Sequence, residues 1–283
     1  MSTLSQPSPR RETLPHALGE GIPDRIDFSE GGSAIRRGVL LALAAGGGVA
    51  LGVTAEATGS TAFTASMLGG LAFAGGLLST WSPCGYSSLC LLRPIGRWSA
   101  QTILRWMPTF AAHGLGYAAG ALILGAVLGG AGALLGFDGL TGGILVALAL
   151  GALLYGAHQF GFVRVPYPQR RAQVPHDARQ RFSMPFIGGL YGIALGLNYL
   201  TYVQTPILYL VTAAALLSGD VASAIGLFAL FNLGRFLPIA VNLLPVTDVQ
   251  VQTWLANRQE AAATLDGALL TAAGMALLVT VVL

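Results

Sequence analysis

Long apolar segments recur along the chain, and they constrain its fold more than any other feature. A helix needs about 20 apolar residues to cross a hydrocarbon core of roughly 30 Å. Only 10% of the residues are charged, against about 25% in a soluble domain, too few to cover a surface facing water. We therefore predict an all-α integral membrane protein with seven transmembrane helices, at roughly residues 38–58, 62–92, 103–128, 140–160, 185–217, 221–244 and 262–283.

The second and fifth apolar segments are too long for simple straight helices, and each contains a helix breaker. Pro83–Gly85 interrupts the second and Pro206 interrupts the fifth. Backbone groups freed at membrane depth must be buried in protein or face water. Paired interruptions at matching places in inverted halves indicate a site near the membrane midplane. The alternative is a duplication whose breaks only improve packing.

Setting the first helix aside, the other six spans divide into three plus three. Because three spans are an odd number, the second half must be inverted relative to the first. We predict five parts: a cytoplasmic polar tail at residues 1–36, an extra N-terminal helix at 37–61, a first three-helix repeat at 62–160, an arginine-rich cytoplasmic loop at 161–184 and a second repeat at 185–283.

The basic residues predict the orientation in the membrane. All 15 are arginines, spread along the chain, which argues against nucleic acid as a partner. They precede the first span and occupy alternate connections, whereas the connections near residues 59–61, 129–139 and 218–220 have none. Cytoplasmic loops carry the excess of basic residues. This predicts a membrane protein with a cytoplasmic N-terminus and a C-terminus outside the cytoplasm.

Both cysteines lie in one segment, which makes it the strongest candidate for chemistry. Cys84 stands between a proline and a glycine, and Cys90 follows six residues later. An unbroken helix would keep the two thiols too far apart for a bond. A helix opened at Gly85 would let them approach, so a Cys84–Cys90 pair is allowed but not implied. We expect Cys84 to be a reactive thiol, and Cys90 to be either reactive or a packing residue.

Polar and helix-breaking residues flank both interruptions. Such groups in a membrane usually face the protein interior, where they could bond the opened backbone, a thiolate or a solute. The candidate pocket residues are Ser82, Pro83, Gly85, Ser87, Asn198, Gln204, Thr205 and Pro206.

Few other ionisable residues lie inside the predicted spans. His113 and Arg235 are candidates for proton handling or for packing, and Arg235 is also expected to extend toward the cytoplasmic interface. Glu56 and Asp266 are expected at the membrane interface. The histidines and cysteines lack metal-ligand spacing, and we find no phosphate loop, Rossmann glycine pattern or nucleophile elbow, so neither a metal nor a cofactor is expected.

Two short motifs carry a resemblance that covers about residues 62–283. Ser82-Pro83-Cys84, together with Gly234-Arg235-Phe236-Leu237-Pro238, resembles the CcdA/DsbD family of transmembrane thiol–disulfide electron carriers. That resemblance implies inverted three-helix repeats, one reactive cysteine in the first helix of each, and a thioredoxin-like partner. Cys84 maps to the first reactive cysteine, but Val203 stands where the second is expected, so the usual two-thiol shuttle is missing.

Within that family, the size, the extra helix and the polar tail are similar to a membrane protein of methylamine-utilisation gene clusters. That similarity implies a role in maturing or exporting the disulfide-rich small subunit of periplasmic methylamine dehydrogenase. We therefore expect a thiol–disulfide carrier or maturation factor rather than a classical enzyme. A small-solute or small-ion transporter on the same scaffold is the alternative, favoured by the missing cysteine. A scaffold that only holds partner proteins is a third.

Overall fold

The regular structure of the described residues consists of helices. The computed structural model describes residues 33–55, 60–166 and 181–283. Most of the polar tail, Glu56 and much of the arginine-rich loop lie outside these ranges. The helices are α1 Ala34–Ala55, α2 Ser60–Leu78, α3 Pro83–Leu91, α4 Ala100–Leu134, α5 Gly142–Gln159, α6 Met184–Gly196, α7 Ile207–Leu217, α8 Val221–Phe236 and α9 Asp248–Val282, with 3₁₀ turns at Ser79–Trp81 and Leu237–Leu243.

Six helical stretches in the described ranges are long and apolar enough to cross a membrane. This agrees with the predicted class, a multi-pass helical membrane protein. The fifth apolar segment is different, because it contains two short helices, α6 and α7, of 13 and 11 residues. At 1.5 Å per residue each is shorter than the hydrocarbon core is thick.

The interruption of the fifth segment is wider than its single proline predicts. Residues 197–206 are not helical, and Pro206 stands at the entry to α7. Asn198 has a φ of 57°, a left-handed conformation that asparagine adopts more readily than most residues because its side chain bonds locally. The chain therefore unwinds directly after α6 ends at Gly196.

The interruption of the second segment lies a few residues before the predicted Pro83–Gly85. Helix α2 ends at Leu78, a 3₁₀ turn follows, and Ser82 is extended. Pro83 opens α3, because its fixed φ suits the first helical position and no hydrogen bond needs its nitrogen there. Gly85 is helical. A Cβ on it would lie 2.7 Å from the Ser79 carbonyl oxygen, so the glycine permits a close approach of the turn.

Helices α4 and α9 extend well beyond the predicted spans. Each has 35 residues, or about 52 Å of helix, more than a bilayer core requires. Helix α9 begins 14 residues before the predicted 262 because Thr247 and Gln250 form a capping box at its start. Arg93, after α3, pairs with Asp248 in the first turn of α9 and so holds this extension against the bundle.

Glycines let the helices that surround both interruptions cross at close range. Helix α4 crosses α6 where a Cβ on Gly116 would lie 2.6 Å from the Gly189 carbonyl oxygen. Helix α2 crosses α8 where a Cβ on Gly76 or Gly234 would overlap the facing backbone. Helix α1 packs on α9 through Gly48 and Gly52. Small residues permit this backbone contact in a membrane, where hydrophobicity alone does not drive association.

Candidate functional site

The two helix interruptions meet inside the bundle. The Gln204 backbone N–H donates to Ser82 Oγ over 2.7 Å, and Ser82 is buried. Sequence reasoning selected both residues from separate halves, and the structure places them in contact. Pro83 and Pro206 lie beside this contact as the residues that start α3 and α7.

Arg235 of α8 is buried inside the bundle. Its Nη1 donates to the Leu195 carbonyl and to Asn198 Oδ1, each over 2.9 Å, and Nη2 donates to Thr201 Oγ1 over 3.3 Å. The expected extension toward the cytoplasmic interface is therefore wrong, since Arg235 is only 5% exposed. The acceptors become available because α6 unwinds, and all of them are neutral.

Asn198 and Asn232 complete the polar network around Arg235. Asn198 Nδ2 donates to the Gly196 carbonyl over 2.9 Å and to Asn232 Oδ1 over 3.0 Å. Asn232 Nδ2 donates to the carbonyls of Gly196 and Tyr117, over 2.8 and 3.0 Å. The network ties the end of α6 to α4 and α8. Asn198 therefore satisfies a freed backbone carbonyl, one of the roles considered for it, and it also accepts from Arg235, which sequence reasoning did not anticipate.

Cys84 is the second residue of α3 and is fully buried, with 0% exposure. It belongs to an apolar cluster that includes Tyr117, Tyr191 and Leu195. Among the described residues, the Tyr117 hydroxyl has no hydrogen-bond partner. The Tyr117 side chain lies between the region of Arg235 and that of Cys84, within electrostatic range of each.

Cys90 lies on the same continuous helix as Cys84 and is less buried. Its thiol contacts the side chains of Tyr86 and Gln252. Helix α3 does not open at Gly85, and within the described residues the two cysteines are not joined by a disulfide. Ser87, also on α3, is buried.

His113 of α4 has the surroundings of a packing residue. It is almost completely buried, and its Nδ1 donates to the Gly188 carbonyl over 2.9 Å. Its ring meets the Tyr117 ring edge-on, with centroids 5.0 Å apart. These contacts hold α4 against α6, which favours packing over proton handling.

A second buried polar cluster surrounds Asp266 of α9. Gln159 Nε2 donates to Asp266 Oδ2, and Thr205 Oγ1 donates to Asp266 Oδ1. The expectation of an interfacial Asp266 is wrong, because only 2% of the residue is exposed and its neighbours come from α5 and the second interruption. The sequence contained one indication of a buried carboxyl group, because Asp266 is the one acidic residue in the apolar segment 262–283.

Together these residues place a buried thiol, a buried cation and a separate buried carboxyl at the helix interruptions. Among the described residues no group of histidine, cysteine or acidic side chains could hold a metal ion. The fold and site define a multi-pass helical membrane protein with a polar interior built on broken helices.

Comparison with known proteins gives the family. The chain is 59% identical over 281 residues to "Methylamine utilization protein MauF" of Methylorubrum extorquens, covering 98% of both chains. It is 60% identical over 258 residues to the protein of that name from Paracoccus versutus, covering 91% of this chain and 92% of the relative. The protein of that name from Paracoccus denitrificans is 59% identical over 266 residues, covering 92% and 94%. The chain belongs to the MauF family.

The predicted similarity to a membrane protein of methylamine utilisation is therefore confirmed. No family model matches the chain, and no solved structure matches it.

Proposed function

We propose that this protein supports the maturation of an extracytoplasmic, disulfide-rich protein of methylamine utilisation, with methylamine dehydrogenase as its client and Cys84 as the reactive thiol. Membership of the MauF family supports the pathway. The observation that carries the thiol chemistry is the position of Cys84, in the first turn of a helix that begins directly after an interruption, in the cluster that contains Tyr117.

Once the interruptions separate and water reaches Cys84, this position supports the thiolate, which is the form that reacts. The first turn of a helix presents unsatisfied backbone N–H groups that stabilise negative charge. The Cys84 thiolate would attack one sulfur of a client disulfide, form a mixed disulfide and release the other client sulfur as a thiolate.

A second thiol must then resolve the mixed disulfide. Cys90 is held apart on the same helix, and Val203 leaves the second half without a cysteine. We therefore assign resolution to a thioredoxin-like partner, whose thiolate attacks the client sulfur or the Cys84 sulfur. Attack on the client sulfur frees Cys84 as a thiolate, and attack on the Cys84 sulfur leaves Cys84 in a mixed disulfide with the partner. A second thiolate of the partner then breaks the remaining mixed disulfide, so that the client disulfide is reduced and the partner is oxidised. We therefore propose that the protein resembles the CcdA/DsbD carriers but works with one thiol where they use two.

Access to Cys84 requires the two interruptions to separate. The contact between Ser82 and the Gln204 N–H spans that gap, and a single hydrogen bond contributes only about 0.5–1.5 kcal/mol net. Both interruptions lack regular helical bonding over several residues, so a movement there breaks fewer backbone bonds than one within a helix.

The proposed architecture is an inverted pair of three-helix repeats, residues 62–160 and 185–283. Contacts between the two halves support it. Helix α4 of the first half crosses α6, the first short helix of the second half. Helix α8 of the second half crosses α2, the first helix of the first half, and both crossings are made through glycines. The arginine-bearing ends also meet, since Arg37 donates to the Phe160 carbonyl and Arg93 pairs with Asp248. We assign that face to the cytoplasm, in the bacterial inner membrane.

Small-solute transport is the second candidate, and one observation favours it. A cavity of about 820 Å³ lies at the end of the bundle formed by connections without arginine. Its lining includes Thr64, Ser218 and Asp220. Such a cavity would admit a solute from the face opposite the arginines.

Replacement of Cys84 in a strain that grows on methylamine tests the proposal. We expect Cys84→Ser to abolish growth on methylamine but not on another carbon source, with wrongly paired disulfides accumulating in methylamine dehydrogenase. Cys90→Ser is the matched control and should grow. Normal growth and normal dehydrogenase disulfides in Cys84→Ser, with the variant present in the membrane at wild-type abundance, would overturn the thiol role and leave transport as the explanation.

A further inference from the structure

The carboxyl group of Asp266 lies in the interior of the bundle with neutral neighbours. Gln159 reaches it from α5 and Thr205 reaches it from the end of the second interruption. An ionised carboxylate in apolar surroundings is costly unless it is paired with a cation. Two neutral donors satisfy some of its lone pairs but leave its negative charge uncompensated.

Two further buried polar atoms beside Asp266 have no hydrogen-bond partner in the described part of the chain. Gln204 Oε1 is an acceptor that lacks a donor, and Gln259 Nε2 is a donor that lacks an acceptor. Both side chains line, with Asp266, Thr205 and Trp81, a cavity of about 20 Å³. About 10–15 Å³ is enough to hold one water molecule.

We propose that Asp266 is a proton-binding site completed by one water molecule in this cavity. A hydronium ion from solvent gives its proton to the carboxylate, leaving water and a neutral carboxylic acid, and no electrons move. The new O–H donates to Gln204 Oε1 directly or through the cavity water, which accepts from Gln259 Nε2. Thr205 and Gln159 continue to donate to the remaining lone pairs, so every polar atom around the cavity gains a partner.

Proton uptake at this site changes how three parts of the fold are held together. Thr205 precedes α7, Gln159 ends α5 and Asp266 belongs to α9. Loss of the proton leaves a negative charge that these neutral donors must bear alone. The occupied site therefore stabilises the closed arrangement of the second interruption. This inference uses no property of Cys84 and does not depend on the proposed thiol chemistry.

Other titratable or charged groups lie on the elements around Asp266, and a test must separate them from it. Histidine is the side chain among them whose ordinary pKa lies between pH 5 and 8. His158 ends α5, where its Nδ1 meets the backbone of Val163 and Val165, so a His158 variant is a necessary control. The groups on these elements are Arg36 and Arg37 of α1, Tyr155 and His158 of α5, Tyr199 and Tyr202 of the second interruption, Tyr209 of α7, and Asp248, Arg258 and Glu260 of α9.

Trp81 provides a reporter at the cavity. Its indole donates to the Leu255 carbonyl over 2.9 Å, and its ring lies 5.4 Å from that of Trp254. We would measure tryptophan fluorescence and the thermal unfolding midpoint of the full-length protein in detergent from pH 5 to 9. We expect a one-proton transition in the wild type and in His158→Gln, with the unfolding midpoint falling as the proton is lost. Asp266→Asn, which imitates the neutral acid, should show no transition.

Dicyclohexylcarbodiimide labelling of the wild type provides a readout that needs no variant. This reagent modifies protonated carboxyl groups in apolar surroundings, so mass spectrometry should find Asp266 labelled at low pH, with labelling lost in step with the fluorescence transition. The proposal is overturned if Asp266→Asn keeps the transition, if Asp266 is not labelled at any pH, or if the fluorescence responds at constant pH to replacing choline chloride with sodium chloride. The last result would make the site a sodium site.

Discussion

The Gln204 backbone N–H donates to Ser82 Oγ over 2.7 Å, joining two residues that are 122 positions apart in the chain. Each residue belongs to a different interrupted segment. This hydrogen bond is therefore a direct tie between the halves at the point where neither is helical. It lies two residues from Cys84 in one direction and one residue from Thr205 in the other, so it connects the thiol with the Asp266 cluster.

Ser82→Ala should loosen this tie. The variant leaves the Gln204 N–H without its acceptor, at a cost of about 1–3 kcal/mol for a buried unsatisfied donor. We expect a lower unfolding midpoint in detergent and faster maleimide labelling of Cys84, because the two interruptions separate more often. Ser87→Ala, a buried serine on the adjoining helix, is the control. Equal labelling rates in Ser82→Ala and the wild type would show that this contact does not limit access.

Gly234→Ala should disrupt the crossing of α8 with α2. A Cβ at Gly234 would overlap the Phe73 carbonyl, and backbone cannot move aside as a flexible side chain can. We expect a large loss of folded protein and a lower unfolding midpoint, measured by size-exclusion profile and thermal unfolding.

Gly226→Ala on the same helix is the matched control for that change. A Cβ there meets nothing within 4 Å, and alanine favours helix over glycine by about 0.8–1.0 kcal/mol. We expect this variant to be as stable as the wild type or slightly more so. Similar destabilisation of both glycine variants would contradict close contact at Gly234.

Arg235→Lys should weaken the network at the end of α6. A lysine ammonium lacks the planar fork with which Arg235 reaches the Leu195 carbonyl, Asn198 and Thr201. A hydrogen bond to a charged group contributes about 1.5–3 kcal/mol, so losing one of the three bonds should lower the free energy of unfolding by about that amount. Thermal or denaturant unfolding in detergent measures it, with the exposed Arg97→Lys as the control. An unchanged Arg235→Lys would mean that the fork is not required.

The existence of both interruptions could be predicted from sequence, but their limits could not. A proline indicates that a helix ends nearby, yet Pro83 is the first residue of α3 and the helical structure is interrupted before it. Residues 197–203 contain no proline, and they unwind where Asn232 and Arg235 satisfy the freed carbonyls of Gly196 and Leu195. Those two partners come from α8, more than 30 residues away, so local propensity could not reveal them.

The site residues likewise divide into those marked by their local sequence and those whose position depends on distant helices. The sequence identified Cys84, Ser82 and Gln204 because polar residues next to helix breakers are conspicuous in apolar segments. It misplaced Arg235 and Asp266, because a charged residue near the predicted end of a span can reach the interface or face inward. The neighbouring helices decide which of the two positions the side chain adopts, and in this protein they supply hydrogen-bond partners in the interior.

Trapping of mixed disulfides at Cys84 tests the proposed thiol role most directly. Cells growing on methylamine are quenched with acid and alkylated, and the tagged protein is purified and analysed by mass spectrometry. We expect a fraction of Cys84 joined to a cysteine of methylamine dehydrogenase or of a thioredoxin-like protein, present in Cys90→Ser and absent in Cys84→Ser. Recovery of Cys84 only as an alkylated thiol, under conditions in which dehydrogenase disulfides are forming, would contradict the proposal.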